Sequence, residues 1–181
     1  MPVVVINQSE LQARTLVVQK LLRPVANVKS GPSIKRASAT TSDIVLAAHD
    51  GPEPTASSYR QWRLQAFGKR LKVQYFERWM MFEDRSLYLD RAYLHFFEGR
   101  SNEEREVLLL HCDPNEPASA EHSKYKRGPH LHLAFVGDAF KHSHVALEHN
   151  YLDSILTSCE TLTESFSRAI QMVREEILLN F

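Results

Sequence analysis

The sequence predicts an α+β fold, in which an antiparallel sheet of hairpins is packed by an N-terminal helix and a long C-terminal helical segment. Apolar residues follow a helical period near both ends of the chain, whereas between residues 59 and 148 they alternate with polar residues, as in half-buried strands. Clusters of turn-forming residues separate the alternating segments and predict hairpins. With 181 residues and 43% hydrophobic side chains, the chain is long and apolar enough to bury its own core.

Residues 1–58 are predicted to form a basic N-terminal helix followed by a Pro- and Ser-rich connector. Ser9 opens a capping box, and the apolar residues behind it predict a helix over about residues 9–23, which Pro24 ends. The rest of this segment is rich in Ser, Thr, Gly and Pro and predicts loops, interrupted only by the apolar residues 44–48.

Residues 59–181 are predicted to form the sheet and the C-terminal helices, as a single compact domain. Alternating residues on either side of Gly68-Lys69 predict one hairpin. Residues 91–98 and 105–112 flank a polar turn and predict a second hairpin.

The C-terminal segment is predicted to form two helices joined near Cys159-Glu160. Between Leu152 and Ile177 the apolar residues recur at helical spacing, and Thr161 with Glu164 forms a second capping box. An apolar stripe of this kind is typical of a helix that packs on a core, so we expect these helices to cover one face of the sheet.

The net charge excludes a chain that is strongly basic throughout, as many nucleic-acid-binding proteins are. Lys plus Arg and Asp plus Glu number 22 each, which gives a net charge of zero. The distribution is uneven, because residues 1–40 contain six basic residues and one acidic residue, whereas residues 150–181 contain five acidic and two basic residues. The basic segment could meet an anionic partner or the acidic end of the chain, or it could be a solvated surface.

The cysteine spacing and the hydropathy exclude several further classes of protein. Two cysteines without a CxxC spacing exclude a zinc ribbon and a disulfide scaffold. No apolar run reaches the roughly 18–20 residues that span a bilayer, and the first residues lack the basic region of a signal peptide. We therefore expect a cytoplasmic protein that does not contact a membrane.

Four of the nine histidines form two His-x-His pairs on adjacent predicted strands: His130, His132, His142 and His144. Because successive side chains of a strand point to opposite faces, each pair presents both imidazoles on one face. The apolar residues of the two strands are mostly odd-numbered: Leu131, Leu133, Phe135, Val145 and Leu147. If these residues face the core, the four imidazoles lie on the opposite face, where Phe140 would accompany them.

This pattern fixes the register of the predicted histidine hairpin. Apolar residues on one face require a loop of odd length, such as residues 137–139. His132 then lies opposite His144, and His130 lies opposite Ala146. A solvated polar face that merely tolerates histidine is the alternative interpretation.

Imidazoles on rigid strands suit two kinds of chemistry. Neutral imidazoles bind divalent metal ions, and His130 and His132 are the candidate ligands, with His144 and Asp113 as further members of the site. Alternatively, one imidazole acts as a general base and another as a general acid across a phosphodiester bond. The candidate catalytic residues are His130, His132, Asp113 and His144, and whether a divalent metal ion takes part is left open.

Three cations precede His130 in the sequence. Lys124, Lys126 and Arg127 are candidate nucleic-acid-binding residues, because cations beside imidazoles neutralise a phosphate and the charge that develops on it during cleavage. A solvated loop is the alternative interpretation. Cys112, at the end of a predicted strand, is expected to be packed rather than nucleophilic.

Two motifs resemble the TumE toxin family of bacterial toxin–antitoxin pairs. Residues 108–117 (LLLHCDPNEP) form a predicted strand that ends in Asp113, and residues 129–132 (PHLH) precede a C-terminal helix, in the order of that family. The resemblance covers about half of the chain, and His111-Cys112 stand where the family has Arg-Tyr. It implies a small toxin or defence protein that acts on RNA and is neutralised by a protein partner.

The residues His130-Leu131-His132 also resemble the metal-binding motif of HUH endonucleases, which cleave single-stranded DNA. These enzymes need a nucleophilic tyrosine on a helix, and Tyr151 lies at the start of a predicted helix, without the Lys three positions later. This resemblance implies single-stranded DNA, rather than RNA, as the substrate.

A third hypothesis is a non-catalytic subunit of a multi-protein assembly. Arg and aromatic residues, which dominate binding interfaces, are concentrated around the first predicted hairpin: Tyr59, Arg60, Trp62, Arg63, Tyr75, Phe76, Arg78 and Trp79. Residues 25–58 would then become ordered on the partner. Function that is retained after replacement of the histidines would favour this hypothesis over catalysis.

Overall fold

The computed structural model describes residues 4–28, 32–36, 42–49, 62–66, 71–99, 104–117, 119, 123–133 and 143–180. Its strands are β1 (Val5–Ile6), β2 (Ser33–Arg36), β3 (Asp43–Ala47), β4 (Leu64–Gln65), β5 (Leu71–Met81), β6 (Leu87–Glu98), β7 (Arg105–Cys112), β8 (His130–Leu133) and β9 (Ser143–Ala146). Its α-helices are α1 (Gln8–Leu22), α2 (Ser123–Lys126), α3 (Leu152–Ile155) and α4 (Cys159–Met172). A 3-10 turn precedes α3 (His149–Tyr151), and α4 continues as a π-helical turn (Val173–Ile177) and a 3-10 turn (Leu178–Asn180). None of the helices in these ranges is long and apolar enough to cross a membrane.

The nine described strands belong to one antiparallel sheet. Their order is β2-β3-β5-β6-β7-β8-β9, with β1 beside β6 and β4 beside β5. Both predicted hairpins are present, since β4 pairs with β5 and β6 pairs with β7. The predicted α+β class, an antiparallel sheet with an N-terminal and a C-terminal helical segment, is confirmed.

Helices α1 and α4 cover one face of the sheet and enclose the main core. Its largest fully buried side chains include Trp79 of β5 and Ile170 of α4. Phe166 of α4 packs edge-on against Tyr75 of β5, with 6.1 Å between the ring centroids. The sequence pattern assigns Tyr75 and Trp79 to a partner interface, but they are only 1% and 0% exposed. These two side chains therefore stabilise the core and cannot reach a partner, whereas Tyr59 and Arg60 lie outside the described residues.

Both long helices are capped by residues other than the predicted ones. The Asn7 side chain accepts hydrogen bonds from the backbone N–H groups of Ser9 and Glu10, and Glu10 accepts from the N–H of Asn7 at 2.6 Å. Ser158 caps α4 in the same way, with Thr161 as its partner. In each case the capping box begins two or three residues earlier than predicted, because it satisfies the N–H groups of the first helical turn. The predicted break between two C-terminal helices is present, between α3 and α4.

Part of the predicted connector is strand. Every residue of β3 is buried, and β3 pairs with β2 on one side and with β5 on the other. Ile44 and Leu46 face the main core, whereas Val45 and Ala47 face a smaller cluster that also contains Trp62 and Phe76. A strand buried on both faces appears in the sequence as a short, continuous apolar run. Because its apolar residues do not alternate with polar ones, the sequence pattern does not identify β3 as a strand.

A β-bulge decides which side chains of β6 face away from the helices. Arg78 pairs with Arg91, while the next residue of β5 pairs with Leu89, so Asp90 is an extra residue in β6. The buried residues change there from odd to even numbers: Leu87 and Leu89, then Ala92, Leu94 and Phe96. The bulge thereby places four residues of β6 on the face away from the helices, which we name the open face: Arg91, Tyr93, His95 and Phe97.

A second bulge lies in β7. Phe96 pairs with Leu108 and Phe97 pairs with Glu106, so Val107 is the extra residue. Glu106 therefore lies on the open face beside Phe97, whereas Leu108 is buried in the main core. Bulges are frequent beside functional sites because they redirect side chains without ending the strand.

Candidate active site

The histidine hairpin has the predicted register. His132 pairs with His144, Leu131 with Val145, and His130 with Ala146. His142, Phe140 and the predicted loop at residues 137–139 lie outside the described residues. Val145 is 43% exposed rather than part of the core, because β9 is the last strand of the sheet.

Aromatic rings cross the open face from β5 to β9 in a continuous series, which we name the ring ladder: Phe76, Tyr93, His95, His111, His130, His132 and His144. Tyr93 stacks on His111 with 3.8 Å between the centroids and 9° between the planes. Successive centroids are 4.1 Å apart for His111 and His132, and 4.0 Å apart for His132 and His144. The structure therefore brings three of the predicted histidines together, His130, His132 and His144, and adds His95 and His111 to them.

Three members of the ladder form the histidine cluster: His111, His130 and His132. One potential ligand nitrogen from each lies within 4.8 Å of the other two. His111 joins the cluster because β7 pairs with β8 and places it directly opposite His130. His144 contacts the rings of His132 and His130 at the edge of this cluster.

His130 has one ring nitrogen to which no described residue hydrogen-bonds. The side chain is fully buried, and its Nδ1 lies 3.0 Å from the carbonyl oxygen of Gly128. Only a protonated nitrogen can donate to a carbonyl, so Nδ1 carries the hydrogen and Nε2 carries the lone pair. Among the described residues Nε2 has no hydrogen-bond partner although it is buried, and Oδ2 of Asp113 lies 3.9 Å from it.

His111 is held by a second imidazole. The Nε2 atoms of His95 and His111 are 2.6 Å apart, so one donates a hydrogen bond and the other accepts it. On the far side of His95, the carboxylate of Glu106 lies 3.3 Å from Nδ1, within ion-pair distance but without hydrogen-bond alignment. Nε2 of His111 is thus engaged by His95, whereas its Nδ1 takes no part in that contact.

Burial favours the neutral form of three imidazoles of the ladder, those of His95, His111 and His130. It lowers the pKa of His130 to about 4. It also lowers the pKa of His95 to about 4, with a smaller effect from the charge of Arg63. For His111, burial and the neighbouring imidazoles, His95 before His132, lower the pKa to about 2. Neutral imidazole is the form that binds metal ions.

Asp113 lies at the end of β7, beside the cluster. Its Oδ1 accepts a hydrogen bond from the Tyr93 hydroxyl at 2.8 Å, and its backbone N–H donates to the carbonyl of Lys126 at 2.9 Å. Burial raises the pKa of Asp113 to about 6, although the bond from Tyr93 opposes the shift. A carboxyl group with this pKa is largely ionised at neutral pH and can accept a proton there.

The predicted phosphate-binding cations lie on the loop between β7 and β8. The ammonium group of Lys126 is 3.2 Å from the carboxylate of Glu116, and Nε of Arg127 donates to the carbonyl of Pro114 at 3.1 Å. Both cations thus brace the loop that carries Asp113. The side chain of Lys124 lies outside the described part of the structure. Cys112 is buried, as predicted, and burial raises its pKa well above the ordinary value, so it is no nucleophile.

Sequence reasoning missed His95 and His111 as members of the site. Both occupy positions that alternate with buried residues of β6 and β7, which is the signal that places them on the open face. Tyr151, the nucleophile that a HUH endonuclease would need, is 69% exposed and lines a different cavity together with Glu148 and Arg168.

Comparisons with known proteins leave the function to be argued from this geometry. A scan against protein-family models and searches of the curated proteins and of the solved structures found no match to this chain. The resemblances to TumE toxins and to HUH endonucleases therefore stay predictions from short motifs.

Proposed function

We propose that the protein is a metal-dependent ribonuclease in which His111, His130 and His132 hold a divalent transition-metal ion. The observation that carries the proposal is the buried Nε2 of His130, which has a lone pair and no hydrogen-bond partner among the described residues, beside the imidazoles of His111 and His132. His130 donates a hydrogen bond to the carbonyl of Gly128, and His111 shares one with His95; both bonds orient the rings in the manner of metal-ligating histidines.

The ligand nitrogens of the cluster would fit a tetrahedral metal ion if they moved slightly closer together. Ligand nitrogens at about 2.0–2.1 Å from zinc are roughly 3.3 Å apart. The potential ligand atoms lie within 4.8 Å of one another, so modest rotations of the imidazoles would bring them to that distance. Three histidines leave a fourth position for water or substrate, as in catalytic rather than structural zinc sites.

The chain supplies a base next to this position. A bound ion lowers the pKa of a coordinated water and stabilises charge on a phosphoryl oxygen. The Asp113 carboxylate, which accepts a hydrogen bond from the Tyr93 hydroxyl, takes a proton from the water. The oxygen of that water bonds to phosphorus in the same step. The P–O bond to the leaving oxygen breaks, and Asp113 returns the proton to that oxygen. One water is consumed for each phosphodiester cleaved.

The choice of RNA as the substrate has two supports. Rings on an open sheet face are typical of surfaces on which unpaired bases stack. The resemblance to TumE toxins implies RNA as well. As part of this proposal, the protein is a cytoplasmic, toxin-like or defence-associated protein that a protein partner neutralises. Growth arrest on expression, relieved in the His132→Ala variant, is the expected cellular result.

The test compares wild type, His132→Ala and the matched control His49→Ala. His49 follows β3, which β5 and β6 separate from the strands that carry the cluster, β7 and β8. Its Nε2 lies 2.9 Å from the Ser33 hydroxyl. Calorimetric titration with Zn²⁺, Mn²⁺ and Ni²⁺, and visible absorption with Co²⁺, measure binding. Loss of a hydrogen bond to a ligating side chain lowers metal affinity by roughly 10–100-fold. We expect His132→Ala, which removes a ligand itself, to lower the metal affinity by more than this. His49→Ala should bind as wild type does.

Cleavage is then measured on RNA and on single-stranded DNA, with each ion and with EDTA. The proposal predicts cleavage of RNA that EDTA and His132→Ala both abolish. Absence of metal binding at millimolar ion would contradict the metal centre. Cleavage of DNA alone would favour the HUH interpretation, and metal binding without cleavage of either substrate would favour a non-catalytic subunit.

A further inference from the structure

A cavity on the open face adjoins the histidine cluster. Its volume is about 350 Å³, which falls in the range of roughly 300–1,000 Å³ typical of small-ligand sites. Aromatic and charged side chains line it, among them Phe76, Arg78, Arg91, Tyr93, Phe97 and Glu106. We name this cavity the arginine pocket. His95 forms part of its wall and also contacts His111, so the pocket and the cluster share a side chain.

The aromatic side of the pocket consists of rings that pack against one another and against Arg63. The rings of Phe76 and Tyr93 are tilted by 60° with 5.3 Å between their centroids. The guanidinium carbon of Arg63 lies 3.9 Å from the ring centroid of Phe97, a cation–π contact. Planar ligands with a delocalised ring pack well on such surfaces, and every nucleobase has this property.

The cationic side of the pocket carries two like charges face to face. Arg78 pairs directly with Arg91, beside the bulge at Asp90. Like charges directly opposite one another in a sheet are unfavourable. Asp43 accepts a hydrogen bond from a terminal nitrogen of Arg78, and Asp90 accepts one from Nε of Arg91, which offsets part of the repulsion.

Both arginines can still bind an anion. A guanidinium carries five N–H donors, and one carboxylate oxygen engages only one or two of them. The side chains of Arg78 and Arg91 are 32% and 38% exposed, so they are accessible from the cavity side. Two guanidinium groups that line one cavity are suited to donate paired hydrogen bonds to the oxygens of a phosphate.

We propose that the arginine pocket binds one nucleotide of single-stranded RNA, next to the phosphodiester that the histidine cluster cleaves. The phosphate contacts Arg78 and Arg91, and the base packs on the partly exposed ring of Tyr93. Glu106 accepts a hydrogen bond from an amino group of the base. The choice of RNA rests on the proposed function, whereas affinity for a nucleotide does not require a metal ion.

The experiment titrates metal-free protein, in EDTA, with AMP, GMP, CMP, UMP and inorganic phosphate by calorimetry. The variants are Arg91→Gln and a control with the same charge change, Arg174→Gln, which lies on the exposed side of the C-terminal segment. We expect wild type and Arg174→Gln to bind at least one mononucleotide more tightly than phosphate. Arg91→Gln should weaken that binding by about tenfold or more, with its melting curve and Zn²⁺ affinity unchanged.

Three results would overturn the pocket as a nucleotide site. They are equal binding by wild type and Arg91→Gln, phosphate binding as tight as that of every mononucleotide, and no binding at millimolar nucleotide. Metal binding and RNA cleavage with an unchanged KM in Arg91→Gln would reject the pocket and leave the proposed function in place. Nucleotide binding that Arg91→Gln weakens, in a protein without metal binding or cleavage, would support the pocket and reject the ribonuclease.

Discussion

His130 donates a hydrogen bond from Nδ1 to the carbonyl of Gly128 at 3.0 Å, and this bond determines the chemistry of its other nitrogen. It fixes the tautomer, so that Nε2 presents its lone pair toward the cluster in advance of any ligand. A Cβ on Gly128 would lie 3.0 Å from Cδ1 of Leu152, so a larger residue would have to displace that side chain. Glycine thus lets the backbone that carries the acceptor carbonyl pack closely against Leu152.

The first prediction ranks the histidines as metal ligands. His111→Ala removes a member of the cluster, whereas His144→Ala removes a ring at its edge. We expect His111→Ala to abolish calorimetric binding of Zn²⁺ at micromolar concentrations and His144→Ala to weaken it by a smaller factor. An ion at 100 times its Kd should stabilise wild type by about 2.7 kcal/mol, and the stabilisation should disappear in His111→Ala. The reverse order of the two variants would move the site to the edge of the hairpin.

The second prediction concerns the packing of α4 on the core. Ile170 is fully buried, so Ile170→Asp places a carboxylate in an apolar environment and should lower the free energy of unfolding by about 3–5 kcal/mol. Ser167→Asp, at an exposed position of the same helix, is the control and should change it by less than about 0.5 kcal/mol. Urea denaturation measures both. Equal melting of Ile170→Asp and wild type would show that this face of α4 is not packed on the sheet.

The third prediction concerns the buried ion pair beneath α1. Arg14 donates to Glu77 at 2.7 Å, and Glu77 also accepts from the Tyr75 hydroxyl at 2.6 Å and from Nε1 of Trp79 at 3.0 Å. Arg14→Met leaves the fully buried carboxylate without its counter-charge, which should cost about 3–5 kcal/mol. Arg23→Met, exposed at the end of the same helix, should be nearly neutral. A loss below about 1 kcal/mol in Arg14→Met would mean that Tyr75 and Trp79 alone stabilise the carboxylate.

Local patterns predicted the fold class and part of the site. The alternation of apolar residues around His130 and His132 determined which face they occupy and which register their hairpin takes. Helical periodicity located α1 and α4, but the choice of capping residue was wrong. Asn7 and Ser9 both carry groups that can cap, and only the backbone conformation at Asn7 decides between them.

The remaining features of the site depend on pairing between distant segments, which local sequence patterns do not predict. His111 enters the cluster through the pairing of β7 with β8, across the loop that contains α2. The bulge at Asp90 reverses the alternation of β6, and no residue type in the sequence marks it. The arginine pocket depends on that reversal, because it brings Arg91 onto the same face as Arg78.

The fourth prediction concerns the cations of the loop between β7 and β8. Lys126→Ala with Arg127→Ala should weaken RNA binding, and the slope of log K against log salt should become shallower by about 0.7 for each phosphate that is no longer neutralised. The control, Lys20→Ala with Arg23→Ala, removes the same charge from α1. Because both loop cations also bond within the loop, melting curves accompany the titrations. A lower melting temperature with an unchanged salt slope would assign them to bracing Asp113 alone.

The last prediction is a pH dependence at the end of the histidine hairpin. Glu148, just after β9, accepts two hydrogen bonds from Arg168 at 2.9 Å and one from Ser165 at 3.0 Å, which tie the hairpin to α4. The bonds from Arg168, followed by the bond from Ser165, lower the pKa of Glu148 below its ordinary value. Folding therefore favours the ionised form, and its contribution is present above the unfolded pKa, about 4.3, and lost as the pH falls through the folded value.

Arg168→Gln should consequently lower the free energy of unfolding at pH 7 by no more than about 1 kcal/mol, since the guanidinium is largely exposed and screened. The difference from wild type should shrink as the pH falls below about 4. Urea denaturation at several pH values measures it, with Arg174→Gln as a control for the change in net charge. A difference that stays constant down to about pH 3 would mean that Arg168 acts through packing of its side chain, because only the charged pair is titrated away in this range.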